Sequence, residues 1–514
     1  MQTGNRLRNI LYLLALVKIV IPYFLQNNFY EPHRDEFLYL AEGHHLAWGF
    51  MEVPPMLSLF AWLTHLFGNG MFWIKLWPSL FGAATFIVAG EIILSLGGKA
   101  FALLLLFLPF IFGAYLRVFF LFQPNPPEIF FWTMIVYGII RFIQTAENKW
   151  LYIFGISVGL GMMSKYSVAF FTVSIIGALL FTKHRKIFLN KHFWYASLAG
   201  LIIFLPNILW QYSYNFPVLH HMKELQRTQL QYVDPSDFLI GQLIMNGPCV
   251  FIWLTGLRGL LFSKKIKEYR FIGFAYIFVI ILLLIGHGKI YYSLGAYPAL
   301  FAFGAYRLEQ FTIRKRKAWR YAFVLIPVVL GTLMIPIALP VFQPQKLAAF
   351  YVKMNIKETG TLKWEDLKDH PLPQDFADMI GWEEMAQKMS RAYEMLDSNE
   401  KKHTILFCDN YGMAGAVTFY AGKYHLPGAY SDNASFLYWL PQNIHIDNLL
   451  LLTDDKNEMQ HDFIKNFSFA AVTDSITTPM AREHGDLVIL LKGANNAFNQ
   501  TFKEKIEKDK AAFR

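Results

Sequence analysis

Apolar residues in this chain come in long runs rather than in short alternations. Stretches of about twenty apolar residues can cross a bilayer, and candidates fall at 8–25, 72–96, 100–120, 128–145, 150–165, 167–182, 193–210, 238–262, 271–286, 291–309 and 321–341. Two of these, on either side of Lys165 in GLGMMSKYSV, are short, and counting them as one span would reverse everything downstream. From about Gln345 the pattern changes. The amphipathic run GWEEMAQKMSRAYEML then alternates with the short β-type runs HTILFCDNYG, LLLLTDD, FAAVTDS and DLVILLKG. That alternation predicts a small α/β unit.

The loops decide the count. With two spans around Lys165, one side collects Arg6 and Arg8, Arg141 and Lys149, Lys183 to Lys186, Lys264 to Arg270, and Arg314 to Arg320. By the positive-inside rule that side is cytoplasmic. The expected architecture is therefore a polytopic α-helical membrane protein with about eleven transmembrane helices. It has a transmembrane domain over 1–344, with a first outer loop at 26–71, and a C-terminal extracytoplasmic α/β domain over 345–514.

Composition agrees with this picture. The 514 residues are 55% hydrophobic and only 16% charged, unlike an ordinary soluble domain. A net charge of +10 invites a nucleic-acid reading, but its clustering between apolar runs points to topology instead, so no nucleic-acid partner is expected. The first apolar run lacks a small-residue cleavage site and reads as a retained helix. Cys249 and Cys408 make neither a disulfide framework nor a metal site.

Ionisable residues near lipid tend to mark function, and they gather on the outer side. The stretch YEPHRDEFLYLAEGHHLAWGFMEVPP, Tyr30 to Pro55, sets His33, Arg34, Asp35 and Glu36 side by side. Its apolar spacing suggests helices lying along the interface. Asp35 and Glu36 could supply a general base or a metal ligand. Glu128 follows Pro126-Pro127, Lys165 marks the break between spans, Lys289 precedes Tyr291 and Tyr292, and Arg117 lies near an outer span end. Carboxylates facing cations suit a reaction in which an acceptor loses a proton and an anionic group departs. Taken singly, Lys165 and Lys289 also fit snorkelling span ends, and the tyrosines an aromatic belt. His44 and His45 are weak metal candidates. Gly412-x-x-Gly415 reads as packing rather than a nucleotide loop.

At these residues the sequence resembles the membrane glycosyltransferases of the GT-C fold. It is most similar to the bacterial branch of the dolichyl-phosphate-mannose protein mannosyltransferases and to the related aminoarabinose transferases. HRDEFLYLAEGHHLAWGF with its Pro-Pro pair, FQPNPPEIFFWT, GLGMMSKYS, LPNILWQYSYNFP, KIYYSLGAYPALFAFGA, DMIGWEE and NYGMAGAVTFYAGKY carry the resemblance in order along the chain.

The resemblance implies transfer of a sugar, hexosyl or pentosyl, from a polyprenyl-phosphate donor to an extracytoplasmic lipid, glycan or protein, with inversion. It makes Asp35 the main catalytic carboxylate, with Glu36 beside it. Lys165, Lys289, Tyr291 and Tyr292 would then lie near the donor phosphate, and Arg117 could join them. Glu128 stands where relatives often have Asp, so it is only a candidate second carboxylate. Val53 stands where aminoarabinose transferases carry Lys. The implied setting is the bacterial inner membrane, with the active site on the periplasmic side. The resemblance names no cofactor beyond the lipid-phosphate sugar donor, and a divalent metal is left open. The rival readings are a transporter or flippase, which would show internal repeats and paired broken helices, and a polymerase or ligase using lipid diphosphate.

Overall fold

The computed structural model describes residues 2–313, 316–441 and 445–512. A helical segment stands at each of the eleven expected spans, but not all are straight crossings. Among the described residues, six helices are long and apolar enough to cross a membrane, or up to eight if each of two bent pairs counts as one span. Val168–Leu180 turns by 111° into Lys183–Leu189, and Pro235–Ile244 turns by 84° into Gly247–Phe262. The run 100–120 is also divided, into Ala100–Phe112 and Tyr115–Val118. The two runs around Lys165 are separate helices, Lys149–Met162 and Val168–Leu180. Gly155 and Gly159, which crowd the first of them, let it press on its neighbour. A Cβ at Gly155 would sit 2.0 Å from the Ala196 carbonyl, and one at Gly159 2.5 Å from that of Gly200. Small residues at such spacing let helix backbones approach closely.

The basic loops share one end of the bundle. His184 Nε2 lies 2.8 Å from the Glu268 carbonyl, and Gln144 reaches both Ser95 and the Tyr269 hydroxyl. Glu309 accepts the Lys99 and Ala102 amides at 2.7 and 3.0 Å, capping the helix Ala100–Phe112. Arg314 and Lys315 of the expected basic cluster lie outside the described residues.

At the other end sits a four-stranded sheet, with β1 at Thr404–Cys408, β2 at Asn448–Thr453, β3 at Phe467–Ser475 and β4 at Leu487–Ala494. Each strand overlaps one of the four β-type runs read from the sequence, extending at most two residues beyond it at an end. The order is β1-β2-β4-β3, with β1 parallel to β2 and β4 antiparallel to both its neighbours. Side chains alternate across it, as the two-residue period of a strand requires. Leu450, Leu452, Val488 and Leu490 pack with the helices Trp382–Glu394 and Tyr411–Tyr424. Leu449, Leu451, Ile489 and Leu491 pack with Asn496–Ala512.

The first loop, expected as helices along the interface, is helical only in part. Only Arg34–Glu42 and Met56–Leu66 are helical, and the chain between them runs in turns. Tertiary contacts outweigh the helical spacing there. Trp48 offers its carbonyl to Asn207 at 2.8 Å, and Met51 donates its amide to Ser435 at 3.0 Å. Phe37, Leu38 and Ala41 enter the core beneath the sheet, and Tyr30 packs with Leu347, Tyr351 and Phe376. The loop therefore bonds the membrane helices to the sheet unit.

Candidate active site

A cavity of about 870 Å³ opens where the first loop, the helix ends and the C-terminal unit meet. Asp35, His33, Arg34, Arg117, Lys165, Lys289, Tyr291 and Tyr292 all line it. Eight of the ten residues singled out from the sequence thus converge on one space. Glu36 and Glu128 are not among its lining residues.

The helix Arg34–Glu42 explains the different placement of two adjacent carboxylates. His33 caps it: its Nδ1 accepts the Asp35 amide at 3.2 Å, while Glu36 accepts the His33 amide at 2.7 Å, a reciprocal capping box. Consecutive helical side chains point about 100° apart. Glu36 therefore turns inward, fully buried, where Lys75 Nζ lies 2.6 Å from both its oxygens and the Phe122 amide donates at 2.6 Å. Asp35 turns to the cavity and keeps 33% of its side-chain surface exposed. It accepts hydrogen bonds from the Tyr411 hydroxyl at 2.8 Å and from Gln123 at 3.2 Å.

The cations divide by how they are held. Lys165 donates to Asn125 at 2.5 Å, pairs with Glu128 at 3.1 Å, and sits 4.7 and 5.4 Å from the ring centres of Tyr292 and Tyr291. Glu128 is buried, also accepts from Ser167, and serves as counter-ion to Lys165 from outside the cavity. Arg117 pairs with Asp375 at 2.6 Å and stacks on Phe376. Lys289, by contrast, has no hydrogen-bond or ion-pair partner among the described residues. Burial holds its ammonium below the ordinary value against the opposing pull of Glu365, Asp35 and Asp375, with Lys165 adding to the depression. A partly buried cation without a partner beside a carboxylate is poised for an anionic ligand.

The C-terminal unit supplies residues that sequence reading missed. Asp375, Asp378, Asn410, Tyr411, Asn433 and Arg482 share the cavity wall, as does Glu52 of the first loop. Burial pushes the Asp378 carboxyl up to about 6, with His33, Arg482 and Arg34 pulling it back. Lys75 carried a usable signal, because a lone cation within an apolar run needs a buried partner.

His33, Asp375 and Asp378 place their ligand atoms within 4.8 Å of one another. Yet His33 Nδ1 already accepts an amide, which assigns the proton to Nε2. Asp375 is paired with Arg117, and Asp378 with Arg482 at 3.3 Å. This set does not fit a metal ion as arranged. His44 stacks on His65 and His45 on Trp439, and neither lines the cavity. Asp455, Glu458 and His461 form another close group, also outside the cavity.

Gly412 and Gly415 are packing residues. A Cβ at Gly412 would lie 2.5 Å from Arg34 Cγ, and one at Gly415 would lie 2.9 Å from the Phe37 backbone. Their absent side chains let the helix Tyr411–Tyr424 press against Arg34–Glu42.

Residues 52–210 match the family model described as dolichyl-phosphate-mannose-protein mannosyltransferase. Two crystal structures of ArnT from Cupriavidus metallidurans, one bound to undecaprenyl phosphate and one in the apo state, superpose with a TM-score of 0.60. In each case identity is 11%, over 93% of this chain and 97% of that one. An Archaeoglobus fulgidus oligosaccharyltransferase in complex with Zn and sulfate is more distant, at TM-score 0.43 and 10% identity, over 87% of this chain and 69% of that one. No curated protein sequence matches the chain. The resemblance read from the sequence is borne out: this is a multi-pass helical membrane protein with the GT-C fold of membrane glycosyltransferases and a small sheet-bearing C-terminal unit.

Proposed function

We propose that the protein transfers a hexosyl or pentosyl group from a polyprenyl-phosphate donor to an extracytoplasmic acceptor, with inversion. The observation that carries this reading is the geometry of one cavity. Asp35 is partly exposed on it, and Lys289 faces the same space with no hydrogen-bond or ion-pair partner among the described residues. The undecaprenyl phosphate bound by the similarly folded ArnT supports the donor class.

In this reading the acceptor hydroxyl attacks the anomeric carbon as its proton passes to the Asp35 carboxylate. The carbon–oxygen bond to phosphate breaks, and the bonding electrons leave with the polyprenyl phosphate. Lys289, with Lys165, Tyr291 and Tyr292 around it, meets the charge that grows on the leaving group, which is where electrostatic stabilisation contributes most. A single displacement inverts the anomeric centre and needs one base. Glu36 then acts as a positioning residue, because its pair with Lys75 anchors the helix that presents Asp35. Clustering of the basic loops at the opposite end supports an inner-membrane setting with this cavity on the periplasmic side.

Asp35→Asn tests the proposal. The amide keeps the shape and loses the basic oxygen, and a positioned base contributes about 10²–10⁴-fold. Transfer from a panel of radiolabelled undecaprenyl-phosphate sugars to cell-envelope acceptors should fall by at least about 10²-fold. Near-parental transfer by this variant would remove Asp35 from catalysis.

A further inference from the structure

We infer that Tyr411 is a positioning residue for Asp35, through which the C-terminal unit completes the active site. The inference rests on the proposed role of Asp35 as base. Tyr411 is the first residue of the helix Tyr411–Tyr424, and its place is set on three sides. Asn410 caps the helix by accepting the Met413 amide at 3.1 Å. The Tyr411 amide donates to Asn433 at 3.3 Å. The Arg34 guanidinium lies 4.8 Å from the ring centre, and its stem passes over Gly412, where no side chain obstructs it.

So held, the phenol reaches from the C-terminal unit to Asp35 Oδ1 at 2.8 Å, while Gln123, in the bend just before the helix Asn125–Thr145, holds Oδ2 at 3.2 Å. The two donors fix the carboxylate plane and leave each oxygen a further lone pair for substrate. Burial and the adjacent Asp35 charge push the Tyr411 phenol well above its ordinary value, so it remains a donor. The titratable groups facing Asp35 are His33, Tyr39, Lys289, Tyr291 and Tyr411. Of these side chains, Tyr411 stands at hydrogen-bond distance from the carboxylate, whereas His33 Nδ1 is 3.9 Å away. A hydrogen bond to the charged form favours that form. Losing the phenol should therefore make Asp35 easier to protonate and less well aimed.

The test needs no knowledge of the sugar. The full-length protein in detergent is treated with a carbodiimide and an amine across a pH series, and modification of Asp35 is read by peptide mass spectrometry. Tyr411→Phe keeps the ring beneath Arg34 and removes only the hydroxyl. The midpoint for Asp35 modification should move up by about one pH unit, the size expected for one charge-assisted hydrogen bond. With 3-fluorotyrosine installed at position 411, a more acidic donor, it should move down. In transfer assays, Tyr411→Phe should lower kcat by roughly tenfold with donor KM unchanged. Unshifted midpoints in both variants would overturn the inference and return Tyr411 to packing. If Asp35→Asn transfers sugar like the parent, the proposed function fails instead, whatever the labelling midpoints do.

Discussion

Lys75 and Glu36 form an ion pair with no exposed surface on either side chain, at 2.6 Å, between a membrane helix and the first loop. The carboxylate also accepts the His33 and Phe122 amides. Breaking a buried pair by removing one partner costs about 3–5 kcal/mol, because the other charge is stranded. Glu36→Gln and Lys75→Met should each lower the thermal midpoint in detergent sharply, and the double variant should recover part of the loss. Parental melting of Glu36→Gln would show that this pair does not anchor the loop.

Lys289→Met should weaken binding of undecaprenyl phosphate by roughly tenfold or more, the range of a hydrogen bond to a charged group. Melting should barely change, since Lys289 has no hydrogen-bond or ion-pair partner to strand among the described residues. Isothermal titration in detergent would measure it, and equal affinity would return Lys289 to an interfacial role. Lys165→Met is a less clean probe, because it also strands the buried Glu128.

A pH dependence follows from Asp486. Burial and the neighbouring Glu483 push its carboxyl well above the ordinary range. The folded protein therefore holds a proton that the unfolded chain releases near pH 4. The stability this group contributes is full below about pH 4 and is lost as pH rises toward its raised value. Asp486→Asn, which is neutral throughout, should raise the melting temperature at pH 8 and bring little change at pH 4. An equal effect at both pH values would show that Asp486 is ionised in the folded protein.

Topology is the remaining expectation. A reporter fused after Leu347 should register outside the cytoplasm and one fused after Lys186 inside it, because the basic loops share the end opposite the cavity. A cytoplasmic signal from the Leu347 fusion would invert the proposed orientation.

Much of this molecule was legible in the linear pattern. Apolar runs reveal membrane helices because lipid demands about twenty apolar residues per crossing. The four β-type runs near the C-terminus each gave a strand, and the split at Lys165 correctly separated two helices. Charges placed beside apolar runs pointed to Asp35, Lys165 and Lys289, since an ion is costly there without a purpose.

The resemblance ranked Asp35 above Glu36, but nothing in the residues themselves showed where Glu36 would go. The two are adjacent and chemically alike, and the turn of one helix sends one to the cavity and the other to Lys75. Nor could the sequence show that Tyr411, hundreds of positions away, would donate to Asp35. Helix bends at 111° and 84° and the irregular course of 43–55 were equally hidden. Local pattern reports which residues avoid water, because that preference belongs to each side chain alone. Pairing between distant segments depends on packing, and packing is decided only when all the helices and the sheet come together.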